Sequence, residues 1–158
     1  MRKETGFTVV EALVATSICL VVFLGIATAF TMTVKSALNN TARVQASFLE
    51  EEGEEVVRIL RDNGWSANIA SQTAGAPFYV AFDGSTWRAT TTNAYVDSFF
   101  ERAVMLDNVY RDSSKNIVVS GGTLDSNTKR VTVTVSWRQD SATTSRGLMT
   151  YLTNIFNN

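Results

Sequence analysis

The sequence predicts an α+β fold in which a long N-terminal α-helix, over about residues 7–62, packs its C-terminal half on an antiparallel β-sheet. Three observations carry this expectation. No charged residue lies between Glu11 and Lys35, so residues 12–34 form an apolar run long enough for a transmembrane helix, which needs roughly 20 residues. No linker rich in Gly, Ser or Pro follows Val34; instead Leu38, Ala42, Gln45, Leu49, Gly53, Val56 and Leu60 recur at steps of three and four, the spacing of one helix face. Beyond Trp65 the period becomes two, most clearly in KRVTVTVSWRQ, where Val131, Val133, Val135 and Trp137 face one side and Thr132, Thr134 and Ser136 the other.

At the N-terminus, Arg2, Lys3 and the initiator amine precede the apolar run. Under the positive-inside tendency they favour a cytoplasmic N-terminus and an exported C-terminal domain, a bias that Lys35 softens. The basic start, the apolar centre and Ala27-Thr28-Ala29 before Phe30 also fit a cleaved secretory signal peptide, and an uncleaved signal anchor fits as well. Neither explains Glu11. A charged group at mid-bilayer costs about 2.5–3.5 kcal/mol on insertion scales, less near the interface, so such residues usually have a partner.

Gly6-Phe7-Thr8-Val9-Val10-Glu11 resembles the class III signal of type IV prepilins and pseudopilins. In that signal a short charged leader ends in Gly, a Phe often followed by Thr begins the mature chain, and the fifth mature residue is Glu. The resemblance implies a type IV pilin-like fold, cytoplasmic-side cleavage between Gly6 and Phe7 by a prepilin peptidase, N-methylation of Phe7, and retention of the apolar helix. Residues 1–6 are then a cleaved leader, 7–34 a transmembrane and filament-core helix, and 35–158 an exported α+β head that includes the second half of the helix. The implied partners are other pilin or pseudopilin subunits, the prepilin peptidase, the inner-membrane assembly platform and membrane lipid. Glu11 is the implied assembly contact, docking a subunit against the previous one. More loosely, RVTVTVSW and TYLTNIF are similar to the C-terminal sheet of minor pilins, which implies a minor subunit. Two departures stand out: the only Pro is Pro77, so the helix-kinking Pro of many pilins is missing, and one Cys cannot close the disulfide loop of major pilins.

The chemistry of Glu11 follows from that spacing. Cleavage would turn the Phe7 amide into a free amine, mostly protonated at neutral pH with an unperturbed pKa near 8. Glu11 lies one turn on, within i,i+4 reach of that amine or of a neighbouring subunit's terminus if the helices pack in axial stagger. Either contact is charge-assisted. The plainer role is to complement its own helix dipole, worth about 0.3–1 kcal/mol, with Thr8 as the cap. Only a partner explains position and membrane context together. Gly6, without a side chain, permits close approach of the backbone to a protease. Thr16, Ser17, Thr28, Thr31 and Thr33 can bond carbonyls of the preceding turn, and Cys19 reads as a small apolar residue.

Further along, Asn40, Arg43, Glu50, Glu54, Arg58 and Arg61 are expected on the solvated face opposite the apolar stripe, with Glu54 and Arg58 an i,i+4 pair. Gly53 lies on the stripe and is expected to let a sheet approach closely. Asn63-Gly64 is the expected stop. From Phe7 to Asp62 the helix would be about 80 Å long, so half of it should protrude from a bilayer. Residues 78–83 and 86–91 around Asp83-Gly84 read as a small hairpin, and 99–110, 116–120, 129–138 and 146–155 as strands. Gly121-Gly122 and Asp125-Ser126-Asn127 mark turns between them.

Composition narrows the function classes. The net charge of −1, with Lys and Arg scattered along 158 residues, gives no basic patch for nucleic acid. Without His, and with Cys19 inside the apolar run, zinc sites and Cys/His nucleophiles are excluded. No G-x-S-x-G, S-x-x-K or P-loop spacing occurs, so no enzyme and no cofactor are expected. The function expected is a structural subunit, a minor pilin or pseudopilin, of a type IV pilus or type II secretion-like filament. The alternative is a signal-anchored envelope binding or sensor module, with Trp65, Tyr79, Phe82 or Trp87 touching a ligand or, more plainly, serving the core.

Overall fold

The computed structural model describes residues 8–139 and 141–156. Helix α1 spans Val9–Asp62, a π-helical turn follows at Ser66–Ala70, and six strands complete the chain: β1 Pro77–Phe82, β2 Trp87–Thr90, β3 Glu101–Arg111, β4 Ile117–Val118, β5 Thr123–Gln139 and β6 Ala142–Thr153. This is the α+β arrangement of a long N-terminal helix and an antiparallel sheet expected from the resemblance to type IV pilins. The chain divides at Ala42/Arg43 into two units.

In the first unit α1 begins at Val9 rather than at about residue 7, because Thr8 caps it. The Thr8 Oγ1 accepts the Glu11 N–H at 3.3 Å, satisfying one of the donors that every helix start leaves open, and its carbonyl accepts the Ala12 N–H at 3.1 Å as the first bond of the helix. The hydroxyls along this segment turn inward on the helix itself: Thr16 and Ser17 donate to the Leu13 carbonyl, Thr28 to Leu24 and Thr33 to Ala29. Their polarity is thus spent within the helix. Leu20, Val21, Phe23, Leu24 and Ile26 stay exposed, and none of the apolar window is buried. By length and composition this helix can cross a membrane.

In the second unit the sheet runs β2-β1-β3-β5-β6, with β4 paired to β3, and every pairing is antiparallel. Alternation decides its faces. Val131, Val133, Val135 and Trp137 are buried, whereas Thr132, Thr134 and Ser136 are only half-buried. Across the strands Phe78, Val104, Val133 and Leu148 form one row. The core gathers Val56, Val57 and Leu60 of α1, Trp65 and Ile69 of the π-helical turn, and the inward side chains of β1, β3, β5 and β6. Each fully buried aliphatic side chain there contributes about 1.5–3 kcal/mol.

The buried helix stripe differs from the expected one. It runs through Ala46, Glu50, Gly53, Val57 and Leu60, with Val56 beside it, whereas Leu38 and Gln45 are exposed. Glu50, expected in solvent, is therefore covered. The reason is steric: a sheet comes closest where a helix is thinnest, and Ala46 and Gly53 set that line. A Cβ on Gly53 would lie 2.7 Å from Val133 Cγ1, so the close approach expected there is present.

The strands differ mainly at their ends. The predicted hairpin forms, with Asp83 Oδ1 accepting the Ser85 and Thr86 N–H groups in its turn. Asp125-Ser126-Asn127 is not a turn between strands; it lies inside β5, where the register on β3 shifts between Asn108 and Val109. The local chemistry read from the sequence is still there, since Asp125 Oδ1 accepts the Asn127 N–H at 3.0 Å. It makes a bulge instead because β3 continues past it, pairing Val109, Tyr110 and Arg111 with Asp125, Leu124 and Thr123. The π-helical turn had no counterpart among the expected elements.

Candidate functional site

Of the residues implicated by sequence, Gly6 and Phe7 lie outside the described residues. Glu11 sits in the first turn of α1 and is exposed. It is the only charged side chain between Glu4 and Lys35, and one turn on it meets only Val14 and Ala15. No ion pair among the described residues involves it. Its backbone serves the Thr8 cap while its carboxylate projects from an apolar cylinder. A carboxylate so placed gains from any cation brought to that level, and most where water is scarce.

Of the aromatic candidates, Phe82 and Trp87 come together across β1 and β2, ring centroids 5.4 Å apart. Trp65 is buried in the core. Trp87 packs against the core and lies under the Arg102 guanidinium, 5.4 Å from ring centroid to Cζ. Phe82 is exposed, and Tyr79 lies on the other face of β1, donating its hydroxyl to Glu101 Oε1 at 3.1 Å.

The head instead carries a polar cluster beneath α1 that the sequence reading missed. On the inner face Arg102, Val135 and Arg146 form one cross-strand row. Arg102 is 3% exposed and its Nη1 donates to Glu52 Oε2 at 2.6 Å. Glu50 is buried, its Oε2 3.8 Å from Arg146 Nε and its Oε1 without a hydrogen-bond partner. Burial pushes the Glu50 carboxyl above the usual carboxylate range; Arg146 opposes that shift and Glu51 adds to it. The sequence did hold a signal: Glu50 is the lone charge in the series Ala46, Glu50, Gly53, Val57, Leu60. At the far end of β3, Arg111 Nε donates to Asp125 Oδ2 at 2.6 Å, and that bond holds the Asp125 carboxyl below its ordinary value.

The Glu50 shift has a stability consequence with a definite sign. An acid whose pKa is raised by folding contributes stability below its unfolded value and loses it as pH rises through the folded value. Glu50→Gln should therefore remove a component of stability that declines as pH rises above the ordinary carboxylate range. Thermal melts of the full chain in detergent from that range upward should show a flatter profile than the parent, with the two profiles closest at the acid end.

Among the described residues no group of three His, Cys, Asp or Glu side chains could hold a metal ion. Comparison of the chain with protein-family models, with curated proteins and with solved structures found no match.

Proposed function

We propose that the chain is a structural subunit, a minor pilin or pseudopilin, of a type IV pilus or type II secretion-like filament. Residues 1–6 are removed by a prepilin peptidase between Gly6 and Phe7, and Phe7 is N-methylated. The apolar segment then holds the subunit in the cytoplasmic membrane, with the C-terminal domain exported, until the helix enters a growing filament. The observation that carries this reading is an apolar segment of α1 with no covered face, preceded in the helix's first turn by one carboxylate, Glu11, unpaired among the described residues. Such a surface is at home in lipid or among like helices, where self-satisfied hydroxyls and the small Gly25 allow close packing. A charge at its edge is supplied with a partner when another subunit's terminal amine arrives beside it. The chemistry is one of docking, without catalysis.

Intact-mass and N-terminal analysis of the membrane-fraction protein tests the processing. A mature start at methylated Phe7 is expected; a start at Met1 overturns it and leaves the signal-anchored module, and a start at Phe30 overturns it in favour of a cleaved secretory signal peptide. Glu11→Ala tests the assembly contact. It should leave a stable membrane protein but lower filament incorporation about 10- to 100-fold, the equivalent of a charge-assisted hydrogen bond worth about 1.5–3 kcal/mol. Incorporation at the parent level would remove the role given to this carboxylate.

A further inference from the structure

Where the start of β3 meets the end of β5 and the start of β6, a cavity of about 330 Å³ is lined by Tyr95, Phe99, Glu101, Ser136, Arg138 and Thr143. Its volume lies at the small end of ligand-binding clefts, roughly 300–1,000 Å³. Glu101 pairs with Ser136 and Arg138 with Thr143 across the strands. Between these positions Arg102 and Val135 are buried in the head, and Ser98 and the buried Trp137 complete the lining.

The walls are held in place. Phe99 packs edge-on against Phe100, centroids 4.8 Å apart at 89°, and Phe100 against Trp137 at 5.9 Å and 62°. A ladder of rings thus ties the half-exposed Phe99 to the buried Trp137. The preceding Asp97 and Ser98 both have left-handed backbone, φ 52° and 56°, a conformation that costs non-glycine residues about 1–3 kcal/mol each and persists where the surroundings impose it. The Val96 and Phe100 backbones close this turn with hydrogen bonds of 2.8 and 2.9 Å. Glu101 is oriented by the Tyr79 hydroxyl at 3.1 Å.

The lining chemistry selects a ligand class. Glu101 and Arg138 give the rim one charge of each sign, so neither an anion nor a cation is favoured. A wholly apolar ligand would strip water from both without replacing their hydrogen bonds, which costs several kcal/mol. The lining suits a molecule without net charge that has an apolar face for the aromatic side chains of Phe99 and Tyr95 and hydroxyls that both donate and accept. A carboxylate accepts from such hydroxyls and a guanidinium donates to them.

We propose that this cavity is a saccharide-binding subsite holding one neutral pyranose ring, with Phe99 and Tyr95 against its C–H face and Glu101 and Arg138 bonding its hydroxyls. The site uses no part of the N-terminal helix, so it stands or falls independently of filament assembly.

The test is saturation-transfer NMR on the full chain in a detergent without a sugar headgroup, with glucose, galactose, mannose and N-acetylglucosamine as separate probes and caffeine as the non-sugar probe. Transfer to at least one sugar is expected, with apparent affinity about tenfold weaker in Glu101→Gln and in Phe99→Ala. Arg138→Gln, at an exposed position, should weaken binding similarly with an unchanged circular dichroism spectrum. The proposal is overturned by transfer to none of the four sugars, by transfer to caffeine alone, or by transfer undiminished in the folded variants.

Discussion

Glu52→Ala is expected to destabilise the head by about 3 kcal/mol, although Glu52 itself is nearly half exposed. The cost arises on the other side of the pair. Arg102 is 3% exposed and gives its Nη1 to Glu52 at 2.6 Å, while its Nε is buried without a hydrogen-bond partner. Removing the carboxylate leaves a covered guanidinium with the Trp87 ring at 5.4 Å as its remaining electrostatic contact. Losing one partner of a buried pair typically costs about 3–5 kcal/mol. The low end applies here because the space vacated by Glu52 opens to water. The reverse substitution should behave differently. Arg102→Met removes the buried charge, keeps an unbranched stem beside Gly53 and Val133, and leaves Glu52 in solvent, so its cost should stay within about 1 kcal/mol. Thermal unfolding of both variants in detergent separates the cases: equal losses would show that packing of the stem, and not the stranded charge, sets the stability.

This asymmetry was not visible in the sequence, and the reason is instructive. EEEGEEVVRILRD reads as a charged helix face because its carboxylates and arginines have the spacing of local pairs, and Glu54 does pair with Arg58 at 2.7 Å. Periodicity identifies a helix well but fixes its rotation poorly when the approaching surface is a sheet. Contact then follows the smallest residues, Ala46 and Gly53, and carries Glu50 under the sheet with them. The strand KRVTVTVSWRQ was legible because alternation over many residues has one solution. The Asp125 bulge was not, because an Asx hydrogen bond looks the same in a turn and in a bulge, and only the register with β3 tells them apart. For the proposed assembly site, position was legible and partner was not: Thr8 and Glu11 stand as a cap and a projecting carboxylate, while Gly6 and Phe7 lie outside the described residues. The cavity beside Phe99 had no sequence signature, since its residues come from a loop and three strands separated in sequence.

Gly53→Val is expected to cost about 3 kcal/mol, and the accompanying Gly53→Ala about 1 kcal/mol, through overpacking of the helix–sheet contact. A Cβ at this position would lie 2.7 Å from Val133 Cγ1 and 3.1 Å from Arg102 Cδ. Neither neighbour has room to retreat. Val133 is buried in the middle of β5, paired with Val104 on one side and Leu148 on the other, so moving it means bending two ladders. Arg102 is anchored at its far end by Glu52. Alanine recovers about 1 kcal/mol of helix propensity over glycine, which offsets part of the clash; valine adds two methyl groups at the tightest point and recovers less. Stability alone would not identify the cause, because many helix substitutions lower it. The double variant Gly53→Ala with Val133→Ala does. Shortening Val133 opens a cavity in the parent but makes room for the new methyl in the variant, so the two losses should sum to more than the measured total by about 1 kcal/mol. Additive losses would mean that the helix does not bear on Val133 at Gly53, and that the position of the sheet beneath α1 is set elsewhere.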